Sequence, residues 1–178
     1  MSKNVLIISS SPRQGGNSDI LCDEFLRGAR ESGHNAEKIS LKDKKINYCN
    51  ACGFCYSSGT CAINDDMAEI IEKMKKADTI VFASPIYFYA ISGQMKTFID
   101  RLCSGYTQIK NKEFYYILTA ADSASDTIHN ALGEFQGLMA CMENPVEKGY
   151  IFGGGVWKKG EIIGTQYLQR AYEMGKNC

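Results

Sequence analysis

Four cysteines fall within thirteen residues, spaced Cys49-x2-Cys52-x2-Cys55-x5-Cys61. Thiolates ligate soft metals and iron–sulfur clusters, and closely spaced thiols also form switchable disulfides. The first three match a C-x2-C-x2-C spacing seen in ferredoxins. The fourth follows after five residues, with Gly59 letting the chain turn back. A single self-contained 4Fe–4S cluster would suit that spacing. Two readings stand beside it: zinc, whose cysteine sites usually split into two separated pairs, and free or redox-active thiols with no metal.

A second constellation follows the first apolar run, Ser9-Ser10-Ser11-Pro12-Arg13-Gln14-Gly15-Gly16-Asn17-Ser18. A helix beginning here offers free backbone N–H groups and a partial positive charge. The Ser11 and Ser18 hydroxyls, the Asn17 amide and Arg13 add donors suited to a phosphate monoester. Neither G-x-x-x-x-G-K-[ST] nor G-x-G-x-x-G is present at this loop, so a nucleoside triphosphate or a tightly held dinucleotide is not expected. A terminal monophosphate such as that of FMN fits. A third group, Ser84-Pro85-Ile86-Tyr87-Phe88-Tyr89, joins a proline without an N–H to amides and aromatic side chains that can line a flat heterocycle.

Alternating strands and helices must position these residues. Val5–Ile8 reads as a strand buried on both faces, Asn17 or Ser18 to about Ser32 as a helix ended by Gly33, and Ala36–Leu41 as a second strand. A cysteine-rich insertion at about 47–64 leads to a helix opening at Met67 behind Asp65-Asp66. Thr79–Ala83, Phe114–Ala120 and Tyr150–Phe152 read as strands three to five, with Ser84–Gln94 a loop. Helices are expected at Met95–Cys103, Asp126–Met142 and Glu161–Lys176, the last after a mobile Gly153-Gly154-Gly155 turn. This alternation implies one α/β domain over residues 1–178, its parallel sheet wrapped on both faces, with ligands at the carboxyl ends of the strands.

Twenty basic residues balance twenty acidic ones. That excludes the basic footprint of a nucleic-acid binder and a polybasic membrane anchor. No apolar run approaches membrane-spanning length, and Val5–Ile8 is too short for a signal core, so a cytoplasmic protein with reduced thiols is expected. His34 and His129 build no Ser-His-acid or Cys-His pattern, which sets hydrolase chemistry aside. Lys96 and Arg101 read as helix-surface or ion-pair residues. Cys22, Cys103 and Cys141 read as core or half-buried thiols, and Cys178 as a free terminal one. Tyr106 and Trp157 could reach a bound ring from a mobile loop, but nothing in the sequence compels it.

Three motifs in order, Ser11-Pro12-Arg13 with Gly16-Asn17-Ser18, the cysteines running into Asp65-Asp66-Met67, and Ser84-Pro85-Ile86-Tyr87-Phe88 with Gly93, Met95-Lys96 and Asp100-Arg101, carry a resemblance. The chain resembles the NAD(P)H-dependent FMN reductase and flavodoxin-like superfamily, and within it the iron–sulfur flavoproteins. The resemblance implies a flavodoxin-like three-layer sandwich with five parallel strands in the order 2-1-3-4-5. It implies FMN held by the first loop, by Pro85, Ile86, Tyr87 and Phe88, and by Thr119 and Ala120 with Ala121. It also makes Cys49, Cys52, Cys55 and Cys61 the cluster ligands, NAD(P)H a transient co-substrate, and a homodimer or homotetramer the assembly. The activity implied is electron transfer from a reduced donor to a small acceptor such as a quinone or flavin. An electron carrier serving a protein partner, and a non-catalytic thiol or metal redox sensor, are the alternatives.

Overall fold

The computed structural model describes residues 1–178. Five strands run parallel: β1 (Asn4–Ser9), β2 (Asn35–Ser40), β3 (Thr79–Tyr87), β5 (Glu113–Thr119) and β6 (Val146–Gly153), ordered β2-β1-β3-β5-β6. A sixth, two-residue strand, β4 (Ala90–Ile91), pairs antiparallel with β3 alone. The helices are α1 (Asn17–Glu31), α2 (Phe54–Ser58), α3 (Met67–Lys76), α4 (Gly93–Arg101), α5 (His129–Met139) and α6 (Gln166–Lys176). The parallel order is the flavodoxin-like one read from sequence, and β4 makes the sheet six-stranded.

β1 is an inner strand, and all of its residues from Val5 to Ser9 are buried. Val5 pairs with Ala36 on one side and Thr79 on the other. Two apolar cores follow from the alternation of side chains across the sheet. The larger packs α3, α4 and α5 under Phe82, Phe114 and Tyr116, with Phe135 stacked on Phe82 (5.5 Å) and Tyr116 (5.1 Å). The smaller packs α1 and α6 over Ile7, Val81 and Ile117.

Three elements depart from the sequence reading. Ser84–Gln94 is not a loop: β3 continues to Tyr87, turns through Phe88 and Tyr89, and returns as β4. Phe88 (φ 49°) and Tyr89 (φ 63°) both take left-handed backbone, as the two central residues of a type I′ hairpin must. No asparagine or glycine signals that turn. The fifth parallel strand begins at Val146 rather than Tyr150, because an edge strand tolerates an exposed, polar first half. The last helix starts at Gln166, not Glu161. Gly160 and Gly164 have φ of 86° and 81°, which interrupts helix, and Thr165 caps the new start.

α1 and α6 approach so closely that a Cβ on Gly28 would stand 2.1 Å from the Tyr172 carbonyl oxygen, and one on Gly175 would stand 2.0 Å from that of Phe25. Both obstacles are backbone, so neither can yield locally. Gly28→Ala is therefore expected to destabilise the fold by about 3 kcal/mol, read as a lower urea midpoint with an unchanged slope.

Candidate functional site

The strand order reverses beside β1, and the carboxyl ends of β1, β3 and β5 open into one cleft there. Its floor is the start of α1. The first helical bond runs from Ile20 N–H to the Gly16 carbonyl (2.9 Å), so the N–H groups of Asn17, Ser18 and Asp19 have no backbone acceptor. No side chain caps them either. Asn17, Ser18 and Asp19 are buried, which makes open amides costly unless an anion or water meets them.

The loop before the helix is held by its own bonds. Ser11 Oγ donates to the Arg13 carbonyl (2.9 Å), and Gly16 N–H donates to the same oxygen (2.9 Å). A Cβ on Gly16 would meet Ser11 Oγ at 2.6 Å, so this curvature requires glycine. Asp19, at an anion site, would repel an anion. It instead accepts Gly15 N–H (2.9 Å) and pairs with Lys38 Nζ (2.9 Å), which also bonds Asp23. Sequence reasoning missed this pair; an acid in the first helical turn was its only local signal.

A chain of buried hydroxyls joins the loop to the hairpin. Ser10 Oγ donates to the Ala83 carbonyl (3.0 Å), Ser92 Oγ donates to Ser10 Oγ (2.8 Å), and Ser92 N–H donates to Ser84 Oγ (2.9 Å). Ser92 also caps α4. The aromatic hairpin therefore rests on the loop that starts α1.

Of the residues proposed from sequence to hold a cofactor, Ser11, Arg13, Asn17, Ser18, Pro85, Ile86, Tyr87, Thr119 and Ala120 line this one cleft. Phe88 does not: it sits at the hairpin tip, wholly exposed and outside the lining. Two of the nine also hold bonds within the chain. The Asn17 side chain is spent on protein, donating to the Lys158 carbonyl (2.9 Å) and accepting Ile162 N–H (3.3 Å). Arg13 is exposed and donates to the Trp157 carbonyl (3.3 Å). The segment after β6 is thereby tied over the loop, and it adds Val156 and Trp157 to the lining. The triple glycine hinted at that segment; no residue pattern disclosed its contact. Tyr106 packs against the larger core instead.

The cysteine segment lies after β2. Cys49 and Cys52 face solvent, and Cys55 and Cys61 are half-buried. No three Cys, His, Asp or Glu side chains stand together as a ready metal cage. Cys103, expected to be a core or half-buried thiol, is exposed and lies beside this segment. Burial pushes the Cys55 thiol up, and neighbouring Cys103 pushes it further. Cys141 is also exposed, whereas Cys22 and the terminal Cys178 are buried. The segment's ends are fastened by a buried ion pair. Asp65 Oδ2 accepts from Arg101 NH1 (2.7 Å) and Oδ1 from NH2 (2.9 Å). Arg101, read as a helix-surface or ion-pair residue, is thus the buried partner, while Lys96 pairs on the surface with Asp100.

The cleft, at about 130 Å³, adjoins a larger groove of about 680 Å³ near the end of β2. That groove's charges neutralise one another, as in Lys38 with Asp19, Lys42 with Asp43, and Lys73 with Glu37, which leaves it no net pull on an ionic ligand.

The profile of the NADPH-dependent FMN reductase family matches residues 3–145. The chain belongs to the NADPH-dependent FMN reductase family. An iron–sulfur flavoprotein of Archaeoglobus fulgidus is 33% identical over 155 residues, 82% of this chain and 76% of that one. An iron–sulfur flavoprotein of Methanocaldococcus jannaschii is 45% identical over 111 residues, 61% of this chain and 57% of that one. The chain spans about half the length of the first curated relatives it matches. Among solved structures, the Trp repressor binding protein from Bacillus subtilis superposes with a TM-score of 0.70 at 25% identity, covering 97% of both chains. An azoreductase from Bacillus anthracis, at 17% identity and a TM-score of 0.74, covers all of both chains and shares the fold. The family's matched stretch contains the α1 loop, the hairpin and the end of β5, the three walls of the cleft.

Burial alone would raise the Asp65 pKa, but bonds from Arg101 and from the Asn47 and Met67 amides hold it at about 2, against an ordinary 3.8. A depressed carboxylate stabilises the fold fully above the unfolded value and loses that contribution as pH falls toward 2. Asp65→Asn is expected to cost about 3 kcal/mol at neutral pH, where it leaves Arg101 buried without its counter-charge. Urea titrations of both proteins should show the gap narrowing between pH 4 and pH 2.

Proposed function

We propose that this protein is an FMN-dependent NAD(P)H oxidoreductase that passes electrons from the reduced nicotinamide to a small acceptor such as a quinone or a flavin. The observation that carries this reading is the uncapped, buried start of α1, whose open amides face the same cleft as Ile86, Tyr87 and Thr119. That floor suits a dianionic phosphate ester. Bound there, FMN supplies hydride acceptance and onward electron transfer, and the chain's part is to place it.

The residues divide that work. Ser18 and the α1 amides bind the phosphate, Ser11 shapes the loop around it through its bond to the Arg13 carbonyl, and Arg13 adds charge from the rim. Pro85, Ile86 and Tyr87 wall one side of the cleft. Thr119 and Ala120 wall the opposite side. The cleft is smaller than the ~300–1,000 Å³ of a typical cofactor pocket, so it would enclose only part of FMN and leave the rest accessible to a second reactant. That openness suits a donor and an acceptor that take turns.

Cys49, Cys52, Cys55 and Cys61 would hold a 4Fe–4S cluster, which supplies single-electron acceptance when present. The chemistry of the donor set, four thiols within thirteen residues, suits such a cluster, although the thiols do not stand together as a cage in this structure. The exposed Tyr48, Phe54 and Tyr56 of this segment favour a homodimer or homotetramer in which it is covered. Reduced thiols fit a cytoplasmic setting, and no helix is long and apolar enough to cross a membrane. An electron carrier for a protein partner is favoured by the same segment. It predicts little steady-state NAD(P)H oxidation with quinone, where the enzyme reading predicts sustained turnover.

Two substitutions test the sites. Arg13→Ala should weaken FMN binding about tenfold, as expected for a lost charge-assisted contact, and leave riboflavin binding unchanged; equal FMN affinity in fluorescence titrations would refute its phosphate role. Cys52→Ser should abolish cluster absorbance after anaerobic reconstitution while retaining flavin, and iron content equal to wild type would rule out ligation.

A further inference from the structure

We infer that Lys38 is a positioning residue for the mononucleotide phosphate: it cancels the charge of Asp19, so that Asp19 can fasten the loop at Gly15 without repelling the anion that loop receives. The inference rests on the reading that the start of α1 holds the phosphate of FMN.

The loop before α1 has two sides. Ser11, Gly16 and Ser18 line the cleft, whereas Gly15, Asp19 and Lys38 line the larger groove behind it. Lys38 is outside the cleft lining, so it acts on a ligand there through the loop. Its place follows from β2. Ala36 and Lys38 share one face of that strand, and Ala36 is buried in the core beneath α1. Two residues on, the same face brings Lys38 to the first turn of α1. There Nζ donates to Asp19 Oδ1 (2.9 Å) and to Asp23. Asp19 Oδ2 accepts Gly15 N–H (2.9 Å), and Oδ1 lies 3.5 Å from Ser9 Oγ. The two acids differ in surroundings: Asp19 is 6% exposed, whereas the Asp23 side chain faces solvent, which screens it.

An acid in the first helical turn that reaches back to an earlier N–H is stabilising by itself, through that bond and through the helix dipole. It needs no lysine. Burial alone would lower the Lys38 pKa, but the bonds to Asp23 and Asp19 raise it overall, so the ammonium stays charged at neutral pH. What this charge answers is the ligand. The Asp19 N–H is one of the open amides at the helix start, so its carboxylate belongs to the same turn that receives the anion. A lone carboxylate there would oppose a phosphate dianion. Paired with Lys38, Asp19 keeps its hold on Gly15 and loses its repulsion. Riboflavin, with the same ring and no phosphate, gains nothing from the pair.

The test compares FMN and riboflavin in fluorescence titrations of the full chain stripped of flavin. Lys38→Met should weaken FMN binding about tenfold, the order expected for one poorly screened charge near a dianion, with riboflavin binding unchanged. The double variant Asp19→Asn with Lys38→Met should recover wild-type FMN affinity within about twofold. Lys73→Met, which removes the same charge from the same groove beside Glu37, should alter neither affinity. An unchanged ratio of FMN to riboflavin affinity in Lys38→Met overturns the inference and leaves the FMN reading standing. So does a double variant as weak as Lys38→Met, because the loss then comes from packing and not from charge. An equal loss in Lys73→Met overturns it too. A wild type that binds FMN no more tightly than riboflavin overturns both readings. If Lys38→Met does not fold, Asp19→Asn decides. Asparagine can still accept Gly15 N–H, so FMN should bind more tightly than to wild type with riboflavin unchanged, and equal or weaker FMN binding overturns the inference.

Discussion

A buried helix start with no capping side chain is an unstable arrangement in isolation, and the site of this protein is built around one. Backbone amides removed from water need an acceptor. At α1 the chain supplies none for Asn17, Ser18 and Asp19. The neighbouring acid, which might have served, is turned aside by Gly15 and Lys38. The strand order places these open amides where β3 and β5 also end.

Around this point the structure invests in rigidity. The serine chain from Ser10 through Ser92 to Ser84 fixes the hairpin to the loop, and Asn17 fastens the segment after β6 to the same place. The residues that touch a ligand are consequently located by others that do not. On the far side of the sheet's carboxyl edge, Asp65 and Arg101 do the same for the cysteines. The two stations share an architectural rule: a mobile-looking loop is pinned at its base by buried polar contacts, so that its outer residues are presented and not merely exposed.

Much of this was legible in the sequence, for physical reasons. Val5–Ile8 declares itself because a strand covered on both faces must be apolar throughout, and the switch point follows from the alternation of elements. The hydroxyl-rich loop is recognisable because glycine and short donors are what a tight anion cradle demands. Other features were hidden. The I′ hairpin uses Phe88 and Tyr89 where asparagine and glycine would have announced it. The first half of β6 is an exposed edge and reads as loop. Arg101 lies in a helix, where a buried arginine and a solvated one look alike, and its partner Asp65 is 36 residues away. The dual bonds of Asn17 join residues more than 140 positions apart. Pairings of that range leave no trace in local pattern.

The hairpin tip has a further consequence. Two bulky residues there occupy left-handed backbone that costs each roughly 1–3 kcal/mol, and the strain is confined to Phe88 and Tyr89 while the serines beneath are fully bonded. Side chains at the tip therefore stand on a sprung mount whose footing does not depend on their identity. Neither side chain lines the cleft, so exchanging them would reshape the surface beside it while the serine-fixed footing of the hairpin stayed in place.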